Sequence, residues 1–457
     1  MEMTPYPAPV TLDPAVVLPV AETEEVYILP TSFAQRRLWF LYQLDPQSAA
    51  YNVSGGFLIR GPLDAGALCR SLGEVVRRHE ILRTTFLLRD DEPVQAVALA
   101  GCVPLPGIDL AALPPEVRER ERQAVFASMA SRPFDLRRGP LLRCVLLRSG
   151  EGEHAFLYAM HHIVTDGWSE AIFVRELAAL YHDFTAGLPP SLPELPIQYG
   201  DFAQWQRDWL QGEVLERLLA YWQARLEGAP AVLELPADHP RPALFSYRGS
   251  AVPFTVPAEV SASLRRLPER ETATLFSLLL AAYGVLLDRH TGQPDLLIGS
   301  PVANRNAPEL EELIGLFLDT LVLRLDLSGN PTFRELLRQA QEVVLGAHEH
   351  QDLIFERLLP ALGLDRDPSR NPLFQVALAL QNTPAIEAHV AGLEISPLQL
   401  AAVTAKFDLQ LTVQESGGLL HGAFEYAADL FEETTVRRLA DRFLVLLGEI
   451  VRTPDGR

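Results

Sequence analysis

The chain carries hydrophobic residues in two clean periods, and the switches between them mark its elements. Leu38, Leu41 and Tyr42 give an apolar face to a helix that Ser32 is placed to cap. A second helix, from about Asp64, lines up Leu68, Leu72, Val75, Val76 and His79 on one side. Leu82, Thr84 and Phe86 then alternate with their neighbours, as in a strand. Pro115, a favoured first-turn residue, opens a third helix. Residues 154–160 form an apolar run that reads as a buried strand, and Phe173, Leu177, Leu180, Tyr181 and Phe184 follow at helical spacing. Pro189, Pro190, Pro193 and Pro196 interrupt regular structure. Tyr199 then opens a further helical stretch whose aromatics read as packing anchors. Later, residues 275–287 read as a core helix, 295–299 as a short buried strand and 306–313 as an acidic loop. Gly417-Gly418 suits a hairpin turn between strands over 408–415 and 419–426, and a last helix covers about 432–451.

The chemistry concentrates where the buried strand hands over to its helix, at His161-His162-Ile163-Val164-Thr165-Asp166-Gly167-Trp168-Ser169. Adjacent residues of an extended chain point to opposite sides, so His161 and His162 have different tasks: one faces a cavity, the other the protein. Asp166 reads as an organiser that clamps an arginine, because a buried carboxylate is costly unless it is paired. Gly167 tolerates unusual backbone angles and lets a ligand come close, and Ser169 is placed to cap the helix.

Composition narrows the function. The 457 residues are 48% hydrophobic and 21% charged, as in a soluble globular enzyme, and long enough for two or three domain-sized cores. Thirty-nine basic against 59 acidic residues give a net charge of −20, which speaks against a nucleic-acid partner. Cys69, Cys102 and Cys144 form no disulfide or zinc spacing, and a reduced, cytoplasmic setting is expected. The acidic, Pro-containing start lacks the pattern of a signal peptide, and 275–287 is too short an apolar run to span a bilayer. His348 and His350 have no third partner in view, so no metal is expected, and no Gly-rich phosphate loop or Gly-x-Ser-x-Gly nucleophile turn occurs.

His161-His162-x-x-x-Asp166-Gly167 resembles the active-site motif of the chloramphenicol acetyltransferase superfamily, and with Trp168-Ser169 behind it that of nonribosomal peptide synthetase condensation domains. Six further stretches resemble the other motifs of that family, in its order. They are Ser32-x-Ala34-Gln35-x-Arg37-Leu38-Trp39; Arg78-His79-Glu80-x-Leu82-Arg83-Thr84-x-Phe86; Tyr199-Gly200-Asp201-Phe202-Ala203-x-Trp205; Ile314-Gly315-Leu316-Phe317-Leu318-Asp319-Thr320; His350-Gln351-Asp352-Leu353-Ile354-Phe355-Glu356; and Ser369-Arg370-Asn371-Pro372-Leu373-Phe374. Two depart from the family pattern: Asp319 replaces the usual Asn, and Ile354 stands where Pro is common.

The resemblance implies an α/β (α+β sandwich) fold of two chloramphenicol-acetyltransferase-like lobes in a V-shaped pseudo-dimer with a central tunnel. The expected plan is a linker over 1–26, an N-terminal lobe over 27–188 with the His-His motif, a crossover over 189–224, a C-terminal lobe over 225–450 and a linker over 451–457. The implied reaction joins a donor acyl or peptidyl thioester to the amine of an acceptor aminoacyl thioester. Both ride on phosphopantetheine arms of an upstream and a downstream carrier protein, beside a neighbouring adenylation domain. No cofactor binds directly, no membrane is involved, and the excised domain is a monomer. The resemblance makes His162 the working imidazole and His161 its support, with Asp166 and Gly167 completing the motif. Arg305 is the expected partner of Asp166; Arg83, Trp168 and Ser169 are structural supports. Asp319, Thr320 and Asn382 line the substrate path. Trp168-Ser169 resembles domains for an L-donor and L-acceptor. The alternatives are a starter domain with a fatty-acyl donor, an epimerisation domain, a stand-alone acyltransferase using coenzyme A, and a non-catalytic recruitment domain, which typically loses the motif's histidine.

Overall fold

The computed structural model describes residues 26–363, 367–381, 390, 392–398 and 404–457. In chain order the elements are β1 (Val26–Pro30), α1 (Phe33–Leu44), β2 (Asn52–Arg60), α2 (Ala65–Arg78), β3 (Thr84–Arg89), β4 (Glu92–Ala98), β5 (Gly107–Asp109), α3 (Pro115–Ser131), β6 (Leu142–Gly150), β7 (Glu153–His161), α4 (Gly167–Thr185), α5 (Tyr199–Trp209) and α6 (Gly212–Leu226). There follow β8 (Gly249–Thr255), α7 (Ala258–Arg270), α8 (Leu275–Thr291), β9 (Asp295–Val302), α9 (Pro308–Glu311), β10 (Asp319–Asp326), α10 (Phe333–Glu349), α11 (Phe355–Leu362), β11 (Val376–Gln381), β12 (Glu394–Pro397), β13 (Leu409–Ser416), β14 (Leu419–Ala427) and α12 (Glu433–Arg452). Two short 3-10 turns, Glu80–Arg83 and His162–Val164, lead into β3 and α4. Among the described residues no helix is long and apolar enough to cross a membrane.

The chain divides into two compact units. The first holds Met1–Trp209, Arg305–Phe317 and Thr383–Ala402; the second holds Leu210–Asn304, Leu318–Asn382 and Val403–Arg457. Each lobe was expected to be one contiguous stretch, whereas two later segments cluster with the first unit. The linker expected over 1–26 lies outside the described residues except for Val26, which opens β1. At the other end, α12 runs to Arg452, and the carbonyls of Pro454 and Gly456 accept hydrogen bonds from the N–H groups of Arg334 and Phe333.

The first unit is built on a five-stranded sheet in the order β12-β2-β7-β6-β5, beside a three-stranded one, β1-β4-β3. Strand β7 is interior to the larger sheet, paired antiparallel with β2 and β6. Its residues from Ala155 to His161 are all buried. The run is apolar without alternation because both faces of the strand are covered. Tyr158 packs its ring on Phe173 of α4, while His161, three residues on, meets Phe134 just past α3. Helix α4 is in turn backed by α2. The second unit folds around a six-stranded sheet, β10-β9-β11-β13-β14-β8, with α8, buried from Ser277 to Gly284, against it. Gly417 and Gly418, both at positive φ, close the β13–β14 hairpin as read from the sequence, because only glycine takes that backbone at no cost.

Candidate active site

A buried strand, one 3-10 turn and a helix start present the motif. His161 ends β7, His162–Val164 form the turn, and Asp166 caps α4 with its side chain: Oδ1 accepts the Ser169 N–H at 2.8 Å. This corrects the expected helix start. Ser169 is not the N-cap but the third residue of the helix, because the carboxylate three residues upstream captures its N–H. Gly167 also differs from expectation. It lies in the first helical turn and is absent from the glycines with positive φ, and a Cβ there would meet nothing within 4 Å. The fold therefore does not need glycine here for its backbone. The side chain's absence leaves open space beside the motif.

The two histidines have different surroundings. His162 Nδ1 lies 2.7 Å from the Thr165 carbonyl. A carbonyl cannot donate, so Nδ1 carries the proton, and in the neutral ring the basic lone pair is on Nε2. His161 Nδ1 instead accepts the Ile163 N–H at 3.1 Å, which pins the turn. Burial first, then the neighbouring His162 and Arg143, push His161 down to about 3, so it stays neutral near pH 7. Its ring is a support for the loop.

Asp166 is 1% exposed and gathers donors. Its Oδ1 accepts from Ser169 N, from Ser169 Oγ at 2.7 Å and from Arg305 Nη2 at 3.2 Å; Oδ2 accepts the Phe317 N–H at 2.9 Å. The Asp166–Arg305 side chains are each 2% exposed. Burial lowers the Arg305 guanidinium from its ordinary value, with the charge of Asp166 opposing. Arg305 also stacks on Phe317, 4.1 Å to the ring centre, and donates through Nη1 to the carbonyls of Leu310 and Leu313. Ser169 Oγ accepts from Arg305 Nη2 and from the Gly315 N–H. Its single proton goes to the nearer, charged Asp166 oxygen in preference to the Gly315 carbonyl at 2.9 Å. Trp168 Nε1 donates to the Glu311 carbonyl, and Arg305 lies over its ring.

Arg83 is engaged by the Ala98 carbonyl and Glu80. Asp319 and Thr320 begin β10, in the second unit, where Asp319 Oδ1 accepts the Thr320 N–H at 2.7 Å and, more weakly, the Phe355 N–H at 3.5 Å. The carboxylate thus fills an acceptor role that an amide oxygen could also play. Asn382 lies outside the described residues. Among the described residues no cluster of three or more His, Cys, Asp or Glu side chains could hold an ion. His350 stacks on Tyr221.

Three residues near the motif carry more than the sequence indicated. Tyr199, read as an anchor, donates its hydroxyl to the Leu316 carbonyl at 2.7 Å and meets Ser32 Oγ at 2.8 Å. Its ring leaves no room for a side chain at Gly315, where a Cβ would come within 2.0 Å. His79 and Glu176 meet at 2.9 Å in the interior. The motif around Arg78-His79-Glu80 was the signal for His79; Glu176 had none beyond a charge on the buried side of a helix.

Comparison with known proteins identifies the family. The Condensation domain family model matches residues 24–457. A linear gramicidin synthase of Brevibacillus parabrevis is 48% identical over 430 residues, which are 94% of this chain and 6% of that protein. Chondramide synthase of Chondromyces crocatus is 46% identical over 94% of this chain and 11% of its own length. The chain thus spans a small part of these relatives. Among solved structures, the X-domain from teicoplanin biosynthesis aligns with a TM-score of 0.87 at 30% identity, over 97% of this chain and 98% of that one. The first condensation domain of the calcium-dependent antibiotic synthetase, in complex with a substrate analogue, aligns at 0.77 with 23% identity, over 94% and 98%. The mixed α/β architecture is the chloramphenicol-acetyltransferase-like fold of these neighbours, and the chain belongs to the condensation-domain family.

Proposed function

We propose that this chain forms an amide bond between a donor acyl or peptidyl thioester and the amine of an acceptor aminoacyl thioester, both delivered on phosphopantetheine arms. The observation that carries this reading is the anchored His162 ring. Its Nδ1–H is fixed on a backbone carbonyl, which keeps the basic Nε2 as the working nitrogen. In the reaction the amine nitrogen bonds to the thioester carbon, and the carbon–sulfur bond breaks. His162 Nε2 takes the proton the nitrogen sheds and returns it to the departing thiolate, giving amide and free thiol and restoring the neutral ring. A thioester is already activated, so holding the two reactants together supplies much of the rate. The N–H groups at the head of α4, at Gly167 and Trp168, are the proposed donors for the oxyanion, aided by the positive end of the helix. Asp166 does not move the proton. Its oxygens already hold four donors, and its work is to fix the loop.

The proposed partners are an upstream donor and a downstream acceptor carrier protein, with an adenylation domain as neighbour. They are consistent with relatives that are peptide synthases far longer than this chain. Trp168-Ser169 supports the L-donor, L-acceptor subtype: the two residues begin the helix behind His162 and so bear on how the donor's α-carbon lies. A second reading, a non-catalytic recruitment domain, draws support from the likeness to the teicoplanin X-domain, for which a solved structure is a complex with OxyB. The retained and oriented His162 favours catalysis. One assay separates these readings: L- and D-terminated donor thioesters compete on one carrier against a fixed L-acceptor, with product read by mass. Wild type should join the L-donor preferentially and His162→Ala, folded as wild type, should make little or none. Equal product from His162→Ala would remove the histidine from the mechanism, preference for the D-donor would defeat the subtype, and no product from wild type with any donor would favour recruitment.

A further inference from the structure

Five consecutive residues, 313–317, are each held through the backbone by a side chain from another part of the first unit. Arg305 Nη1 donates to the Leu313 carbonyl at 2.8 Å. The Ile314 N–H donates to His79 Nδ1 at 3.3 Å, and the Gly315 N–H to Ser169 Oγ at 3.1 Å. Tyr199 donates to the Leu316 carbonyl, and the Phe317 N–H binds Asp166 Oδ2. The segment lies between α9 and β10 and has no ladder of its own. Its register is therefore set by these side chains. Two of them, Asp166 and Ser169, belong to the His-His motif loop, so a slip of the segment displaces the carboxylate that caps α4.

His79 is one member of this set that the amide-forming reading leaves without a task. It caps the end of α2 and is 1% exposed. Because Nδ1 accepts a backbone N–H, the ring proton is on Nε2, which donates to Glu176 Oε2 at 2.9 Å. Arg78 Nε and Nη2 hold the same carboxylate, each at 3.1 Å. Burial alone would raise the Glu176 carboxyl, but its bonds to His79 and then to Arg78 outweigh that and keep it below its ordinary value. Arg78 and Glu176 balance in charge, so a neutral His79 fits between them at no net buried charge. Glu176 is on α4, the helix that Asp166 caps. A closed circuit results: α4 reaches the segment at its start through Asp166 and Ser169, and again, further along the helix, through Glu176 and His79.

We propose that His79 is a positioning residue for the His-His site, acting through the Ile314 N–H to keep segment 313–317 in the register that presents the Phe317 N–H to Asp166. This rests on the amide-forming reading for its effect on rate, but not for its effect on structure. Two variants divide the two ends of the ring. In His79→Asn the Oδ1 takes the place of the Nδ1 acceptor and Glu176 is not reached. In His79→Gln the Nε2 reaches Glu176 and no acceptor faces Ile314. Each loses one buried hydrogen bond, so their melting temperatures should fall alike.

Three readouts are needed on the whole chain: amide hydrogen exchange at 314–317, kcat and KM with two loaded carriers, and the nitrogen-15 spectrum of the histidine rings in wild type. His79→Gln should exchange about tenfold faster at 314–317 and lose about tenfold in kcat with KM little changed, the worth of one buried hydrogen bond; His79→Asn should restore most of both. Equal exchange and equal kcat in the two variants at equal melting temperature would overturn the proposal, since a merely structural residue would give that result. Should wild type make no amide, the exchange arm alone decides, and the function is what fails. Should the variants not fold, the wild-type spectrum decides: a His79 proton on Nδ1 would overturn the proposal, and one on Nε2 is the expected result.

Discussion

Replacing Asp166 by Ala should be among the most damaging single changes in the first unit. The carboxylate is buried, its partner Arg305 is equally buried, and removing it strands a guanidinium where water does not reach. A stranded partner of that kind costs roughly 3–5 kcal/mol. The same change leaves the N–H groups of Ser169 and Phe317 without their acceptor, at about 1–3 kcal/mol each, and removes the cap of α4. These losses overlap, because one relaxation that admits water relieves several at once, so about 5 kcal/mol is expected in total. Against a typical stability of about 5–15 kcal/mol, that brings the unit close to unfolding. The assay is urea denaturation followed by tryptophan fluorescence. It reports chiefly on this unit, which holds Trp39, Trp168, Trp205 and Trp209, with Trp222 in the other. The pair itself is isolated by a cycle with Arg305→Met. The double variant should be less destabilised than the sum of the singles by about 2 kcal/mol or more, because it strands neither charge. A coupling under about 0.5 kcal/mol, or an Asp166→Ala midpoint equal to wild type, would refute the view that this carboxylate organises the site.

Two further outcomes follow from the same geometry. His161 titrates near 6.5 when unfolded but only at about 3 when folded, so between those values the unfolded chain binds the extra proton. Its contribution is present in full above about pH 6.5 and is lost as pH falls toward 3, on the order of 3 kcal/mol by pH 4. His161→Asn keeps an acceptor for the Ile163 N–H and removes the titration, so the acid slope of the urea midpoint should flatten; an unchanged slope would contradict the assignment. Gly167→Ala should keep or raise the melting temperature, because alanine suits a helix better by about 0.5–1 kcal/mol and its methyl meets nothing within 4 Å. The same methyl should lower kcat/KM if substrate uses that space, and a wild-type rate would place the reacting groups elsewhere.

The local parts of the site were legible in the sequence because they are set by neighbours in the chain. A buried strand, a polar turn and a helix start follow one another directly, and the switch from continuous apolar to helical spacing marks them. The choice between Asp166 and Ser169 as the cap was not legible, since both are good caps and the winner depends on a carboxylate also held by Phe317 and Arg305. The Asp166–Arg305 pair joins positions 139 apart. The residues alone justified an arginine partner, but only the resemblance singled out Arg305. Least legible was the return of 305–317 and 383–402 to the first unit. Strand β12 joins that sheet only as a four-residue edge on β2, too short to leave a period in the sequence. His79 showed as an apolar-face histidine because its helix places it inward, and nothing in its neighbours reveals the carboxylate of Glu176 on another helix.

The arrangement explains why a charged residue lies at the heart of a site whose proposed chemistry needs only a neutral imidazole. A buried ion pair is a poor way to gain stability, since desolvation consumes most of its attraction. It is a good way to select one arrangement, because any other leaves a charge unpaired. Asp166 meets a side chain from 139 residues away, a hydroxyl three residues on and two backbone N–H groups. These four are satisfied together only if α4 and segment 313–317 are in register. His162 is fixed the same way, by a backbone carbonyl three residues on, and His161 by an N–H two residues on. The direction of His162 Nε2, the proposed working nitrogen, is therefore set by backbone position, and backbone position by the carboxylate. A substitution at Asp166 should then reach the reaction through the angle of the His162 ring, without the aspartate touching a substrate.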